Sequence, residues 1–205
     1  MIPTKSYTRP TLGMVVLAAG FSSRLGRPKA LATIRGKNLL TRTIQVLAPF
    51  SMTKIQVIVP AASARYRNGI SAGTATFGVN RRRASGLSTS VRLGLHASRY
   101  SSAVLLLPVD LVHLSEADIG RLIARWRGSR RRVAARRIDT GAGTPLIVPR
   151  WLYPRAALLT GDAGLRDVIR RLPSSALSLV AMPSAITDVD TPRDLERARR
   201  QRHRS

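Results

Sequence analysis

The residues from Met14 to Lys29 constrain this chain more than any other stretch. They read Met-Val-Val-Leu-Ala-Ala-Gly-Phe-Ser-Ser-Arg-Leu-Gly-Arg-Pro-Lys. Val15 to Ala19 form a short apolar run closed by glycine, the pattern of a strand buried on both faces. A turn of small and hydroxyl residues follows. Ala18, Ala19 and Gly20 carry little or no side chain, so a ligand can approach their backbone N–H groups closely. Exposed amides of this kind bind anions, and Arg24 and Lys29 add full positive charge. The stretch is therefore suited to hold a polyphosphate after a first strand. It is neither a Gly-x-x-x-x-Gly-Lys-Ser/Thr loop nor a Gly-x-Gly-x-x-Gly dinucleotide fingerprint. Met1 to Phe21 also has the layout of an export signal, with Lys5 and Arg9 before an apolar run. Cleavage there would remove the strand that presents Arg24 and Lys29.

Other elements follow from periodicity and turn chemistry. Leu39, Leu40, Ile44, Val46 and Leu47 have helical spacing and stop before Pro49. Ile55 to Val59 and Thr74 to Val79 read as strands, and Ala61 to Tyr66 as a short helix. Leu87, Val91 and Leu95 mark an amphipathic helix with Ser88 and Ser90 in its first turn, suited to N-capping or to phosphate and sugar contacts. Ala103 to Leu107 form a fully apolar strand that ends at Asp110, so this acid falls at the carboxyl edge of a parallel sheet, where ligands bind. Ser115 and Asp118 form a capping box ahead of a helix buried through Ile119, Leu122, Ile123 and Trp126. Val133 to Ile138 and Leu177 to Ala181 read as strands, with a flexible turn at Asp139 to Gly143 and core packing at Trp151 to Pro154. Asp188 and Asp190 project on one face of an extended segment. Thr191, Pro192 and Asp194 then start a last helix.

The opening string resembles the signature of nucleotidyltransferases that activate the molybdenum cofactor, Leu-Ala-Ala-Gly-x-Ser-x-Arg-x-Gly-x-x-Lys. Leu17, Ala18, Ala19, Gly20, Ser22, Arg24, Gly26 and Lys29 fill every fixed position. The Ala-Ala-Gly form looks like the cytidylyltransferase branch, whereas guanylyltransferase relatives usually have Ala-Gly-Gly. Three later segments extend the resemblance: Gly86 to Leu95, Thr160 to Leu165, and Asp188-Val189-Asp190-Thr191-Pro192. Two departures stand out. No proline follows Asp110, and Thr144 replaces a histidine before Pro145.

The resemblance implies a single α/β Rossmann-like domain of three layers with a mostly parallel twisted sheet, similar to the nucleotide-diphospho-sugar transferases. Its extent implies a leader at 1–12, a catalytic domain at 13–198 and a basic tail at 199–205. It implies nucleotide contacts at Leu17, Ala18, Ala19, Gly20, Ser22, Arg24, Lys29, Asn80 and Ser88, and catalytic roles for Arg24, Lys29 and Asp110. It places Mg2+ on Asp110 and on Asp188, with Asp190 as the alternative second ligand. The implied reaction is transfer of CMP from CTP to the terminal phosphate of molybdenum-bearing molybdopterin, with a molybdoenzyme or its chaperone receiving the product. A sugar phosphate or other phosphorylated acceptor is the alternative, and a non-catalytic nucleic-acid-binding or chaperone-like protein is a second.

The net charge of +25 over 205 residues suits anionic ligands. The arginine clusters are scattered, and aromatic residues make up only 4%, so stacking platforms for single strands are scarce and nucleic acid is not the expected partner. No apolar run approaches the length of a membrane span, and the expected location is cytoplasmic. The chain has no cysteine, which excludes disulfides, thiolate metal sites and a thiol nucleophile.

Overall fold

The computed structural model describes residues 11–71, 73–183 and 188–200. Strand β1 (Leu12–Leu17) opens the fold with a buried centre, so Leu12, expected in the leader, already belongs to the sheet. A small hairpin of β2 (Thr33–Ile34) and β3 (Lys37–Asn38) leads to α1 (Leu39–Leu47). Asn38 caps that helix, its side-chain oxygen accepting the Thr41 N–H at 2.7 Å. Strands β4 (Ile55–Pro60) and β5 (Ala75–Asn80) precede α2 (Leu87–Ala97) and β6 (Ala103–Pro108). The expected helix at Ala61 to Tyr66 is a short 3-10 turn over Ala64–Arg67. Helix α3 (Glu116–Gly128) starts at the expected capping box, with the Ser115 hydroxyl and the Asp118 carboxylate each holding the other's backbone N–H.

Strands β7 (Val133–Ile138) and β8 (Gly141–Pro149) then form a hairpin. The flexible turn expected at Asp139 to Gly143 is shorter, because Gly141 enters the ladder opposite Ile138. Helices α4 (Tyr153–Ala157) and α5 (Leu165–Ile169), strand β9 (Leu177–Val180) and helix α6 (Pro192–Arg200) complete the fold. Of the four residues expected to pack as core at Trp151 to Pro154, Leu152 is fully buried, whereas Trp151 is 43% exposed. The indole of Trp151 donates to the Arg131 carbonyl at 2.8 Å instead, which holds the ring at the surface. The expected basic tail begins inside α6, where Arg199 Nε donates to the Thr33 carbonyl at 3.0 Å.

Seven of the nine strands among the described residues form the main sheet, in the order β5-β4-β1-β6-β8-β7-β9. All run parallel except β8, which is antiparallel to both β6 and β7. One sheet face buries Met14, Val16, Val57 and Leu105 against α1 and α3. The other buries Val15, Ile58, Val104 and Leu106 against α2, α4 and α5. This alternation along each strand makes a three-layer α/β domain.

The chain winds outward from β1 through β4 to β5 and then returns to place β6 on the other side of β1. The carboxyl ends of β1 and β6 therefore flank the point where strand order reverses, which is where open α/β sheets form their crevice. Helix α2 lies close against β1: a Cβ at Gly94 would sit 2.5 Å from Val15 Cγ1. That approach brings the start of α2 up to the crevice. The Asp188–Asp190 segment is fixed there by backbone, through a bridge of Leu111 with Asp188 and a Val189 N–H bond to the Asp110 carbonyl at 3.2 Å. Buried Val189 anchors the segment to Leu25, Ile34, Leu39 and Leu195.

Candidate active site

A cleft of about 730 Å3 opens at this edge of the sheet. Its near wall is the loop after β1. Ala18 remains tied to the sheet through its N–H to the Ile58 carbonyl at 2.8 Å. The N–H groups of residues 19–22 have no backbone partner among the described residues. Ser22 holds the loop in shape: it takes a left-handed conformation (φ 54°), and its hydroxyl accepts the Lys29 N–H at 3.0 Å. Buried Leu25 pins the loop to the small cluster beneath α6. The loop thus keeps these amides unpaired by backbone at the cleft wall, while buried Leu25 anchors it to the cluster beneath α6.

Lys29 occupies the centre. Its ammonium donates to Asp110 at 3.1 Å and also to Asp190. Arg24 reaches the other oxygen of Asp190 at 2.7 Å. Burial of Lys29 opposes its charge, but Asp110 and Asp190 outweigh that and hold it above the ordinary lysine value. The hydrogen bond from Lys29, with the charges of Lys29 and Arg24, holds Asp190 below the usual carboxylate range. Asp188 behaves in the opposite way. Burial and the charge of Asp110 push its carboxyl up, opposed by Arg136 and Lys29. The Asp188 carboxylate makes no side-chain hydrogen bond or salt bridge among the described residues.

The acidic residues therefore divide. Asp190 is committed to the two cations, while Asp188 is an unpartnered carboxylate close to Asp110. Oxygen donors in this relation fit a hard divalent cation, because a cation between them would relieve their repulsion. Asp110 and Asp188 are the residues that would hold it.

Most residues singled out in the sequence line this cleft: Leu17, Ala18, Ala19, Gly20, Ser22, Arg24, Lys29, Asp110, Asp188 and Asp190. Asn80 and Ser88 do not. Helix α2 turns Gly86, Leu87, Ser90 and Val91 toward the cleft, and the 3.6-residue period carries Ser88 to the buried side. Asn80 is buried, with its amide nitrogen bonded to Thr89 and Ser90 and its oxygen to the Arg82 N–H. It lies beside a second, arginine-rich cavity behind α2 and positions Ser90 from there. Ser90 was legible only as a first-turn serine, and choosing it over Ser88 requires the helix phase. The far wall comes from Arg136, Thr144, Asp162 and Arg166; Thr144 and Asp162 lie in segments that the resemblance already drew attention to, whereas Arg136 and Arg166 were not singled out. Gly86 joins the two walls: at φ 96°, a Cβ there would meet the Gly161 carbonyl carbon at 2.1 Å.

Residues 14–176 match the MobA-like NTP transferase domain. The chain belongs to the MobA-like NTP transferase family. As a member it is a nucleotidyltransferase. It is 33% identical over 196 residues to a probable molybdenum cofactor guanylyltransferase of Rhodopirellula baltica, covering 91% of this chain and 90% of that protein. Among solved structures it is similar to Rv0371c of Mycobacterium tuberculosis, with a TM-score of 0.76 at 26% identity over 94% of this chain and 100% of that one. A manganese complex of Rv0371c superposes with a TM-score of 0.74 at 23% identity, over 92% and 97% of the two chains. No helix among the described residues of this MobA-like protein is long and apolar enough to cross a membrane.

Proposed function

We propose that this nucleotidyltransferase moves CMP from CTP to the terminal phosphate of molybdopterin bearing molybdenum, and releases pyrophosphate. The observation that carries the reading is the meeting of the Leu17–Lys29 loop with Asp110 and Asp188 in one cleft. The free amides at residues 19–22 would receive the phosphates, and Ser90 faces them from α2. In the reaction an oxygen of the acceptor phosphate attacks the α-phosphorus. The bond to the bridging oxygen breaks, and its electron pair leaves with pyrophosphate. An ionised acceptor phosphate needs no general base. Lys29 and Arg24 then face the charge that builds on the leaving group, and positioning with electrostatics supplies most of the rate. Both cations rest on carboxylates in the present structure, so an arriving triphosphate competes for them.

Mg2+ held by Asp110 and Asp188 would lower the repulsion between the two phosphates as they meet. The manganese complex of Rv0371c supports a divalent cation in this fold. The choice of CTP rests on Ala19, which is buried in the loop where guanylyltransferase relatives usually have glycine. A second reading, transfer of GMP from GTP, is favoured by the identity with the Rhodopirellula guanylyltransferase.

The test is incubation with each of the four nucleoside triphosphates, Mg2+ and molybdenum-loaded molybdopterin, followed by pyrophosphate assay and mass spectrometry. A cytosine dinucleotide formed only with acceptor is the expected product. A guanine dinucleotide would establish the second reading. Pyrophosphate release that ignores molybdopterin but responds to a sugar phosphate would replace the acceptor.

A further inference from the structure

Among the described residues the cleft contains five cationic side chains, and four of them have a hydrogen-bond, ion-pair or ring partner. Arg24 and Lys29 pair with acids, Arg83 lies 4.3 Å from the Phe21 ring centroid, and Arg166 donates to the Thr140 hydroxyl. Arg136 is different. Its Nε is buried and finds no acceptor among the described residues. A buried guanidinium N–H left unmatched is costly, and native structures rarely tolerate one without a reason.

The backbone explains how this side chain reaches the cleft. Along β7, Val133 and Ala135 face the layer of α2, α4 and α5, while Ala134 faces α1 and α3. Alternation turns Arg136 and Ile138 to the same side as Ala134 and leaves Arg137 on the side of Ala135, where its partner Ala142 packs in the layer of α2, α4 and α5. The ladder slips between Ala135, opposite Leu146, and Arg136, opposite Gly143, with the extra residues in β8. Arg136 and Ile138, two residues apart at the carboxyl end of β7, both line the cleft. The sheet order sets β7 beyond β6 and β8 from β1, so Arg136 lines the cleft on the far side of Asp110 from the loop that follows β1.

We infer that Arg136 binds the phosphate monoester of the acceptor and aims it at the α-phosphorus. This rests on the proposed transfer to a phosphorylated acceptor, and supplies what that reaction lacks: a cation for the incoming dianion, separate from those facing the leaving group. A planar guanidinium can grip two phosphate oxygens at once and so orient the third.

The test compares the wild type with Arg136→Gln, Arg136→Lys and, as a control, the exposed neighbour Arg137→Gln. R136Q should raise the acceptor KM by about tenfold to a hundredfold, the range for a lost charge-assisted hydrogen bond, and leave the CTP KM within about twofold. R136K should fall between the two, and R137Q should match the wild type. Calorimetric binding of inorganic phosphate gives a readout without turnover, and it should weaken at least about fivefold in R136Q. If R136Q does not fold, Arg136→Met, which keeps much of the aliphatic stem, carries the same expectation. Unchanged acceptor KM and phosphate affinity would overturn the inference. Failure of the wild type to turn over any acceptor would strike the reaction instead, and phosphate binding would then decide on Arg136.

Discussion

Asp110→Asn is expected to lower the rate of nucleotidyl transfer on the order of 10³-fold or more, with the protein still folded. The substitution preserves shape but removes one of the two negative charges that would hold the divalent cation, and it weakens the ion pair with Lys29. It leaves alone the contacts that dock the acidic segment, since those run through the Asp110 carbonyl and the Leu111 bridge. Circular dichroism should therefore match the wild type, while the requirement for Mg2+ rises. Full activity at ordinary Mg2+ would remove Asp110 from the site.

Lys29→Met should cost about 10²–10³-fold, the usual scale for removing one donor aimed at developing charge. Lys29 bridges two carboxylates and, in the proposed reaction, would face the leaving pyrophosphate. If that charge matters mainly in the transition state, kcat and kcat/KM fall together, and the KM for CTP moves little. A rise in KM with kcat unchanged would mean that Lys29 only helps to bind CTP. Arg24 keeps its own contact with Asp190, so the acidic segment should remain in place.

The outline of the fold was legible because its strands are short apolar runs ended by glycine, proline or acid. Ile55 to Val59 and Ala103 to Leu107 became strands within a residue of expectation. The Ser115 capping box marked the start of α3 for the same local reason. Features that depend on partners distant in sequence were harder to read. Nothing around Leu12 marks it as a strand residue; its pairing with Ala103 of β6 does. Trp151 reads as core by composition, but its position depends on a carbonyl twenty residues away.

The candidate site divides along the same line. The loop after β1 and the acids were readable because they sit at strand ends in contiguous motifs. Ser88 and Ser90 share a helix turn, and only the phase of α2 against β1 decides which of them faces the cleft. Arg136 gave no signal at all. In sequence it is one of many paired arginines, and only the placing of the end of β7 beside the cleft distinguishes it from Arg137.

The most direct measurement is anomalous diffraction from crystals grown with CTP and Mn2+ as a visible substitute for Mg2+. The expected result is one Mn2+ peak between Asp110 and Asp188, with the triphosphate along the loop of residues 19–24 and Lys29 turned from Asp190 to its phosphates. A triphosphate bound elsewhere, or a metal peak remote from both Asp110 and Asp188, would contradict it.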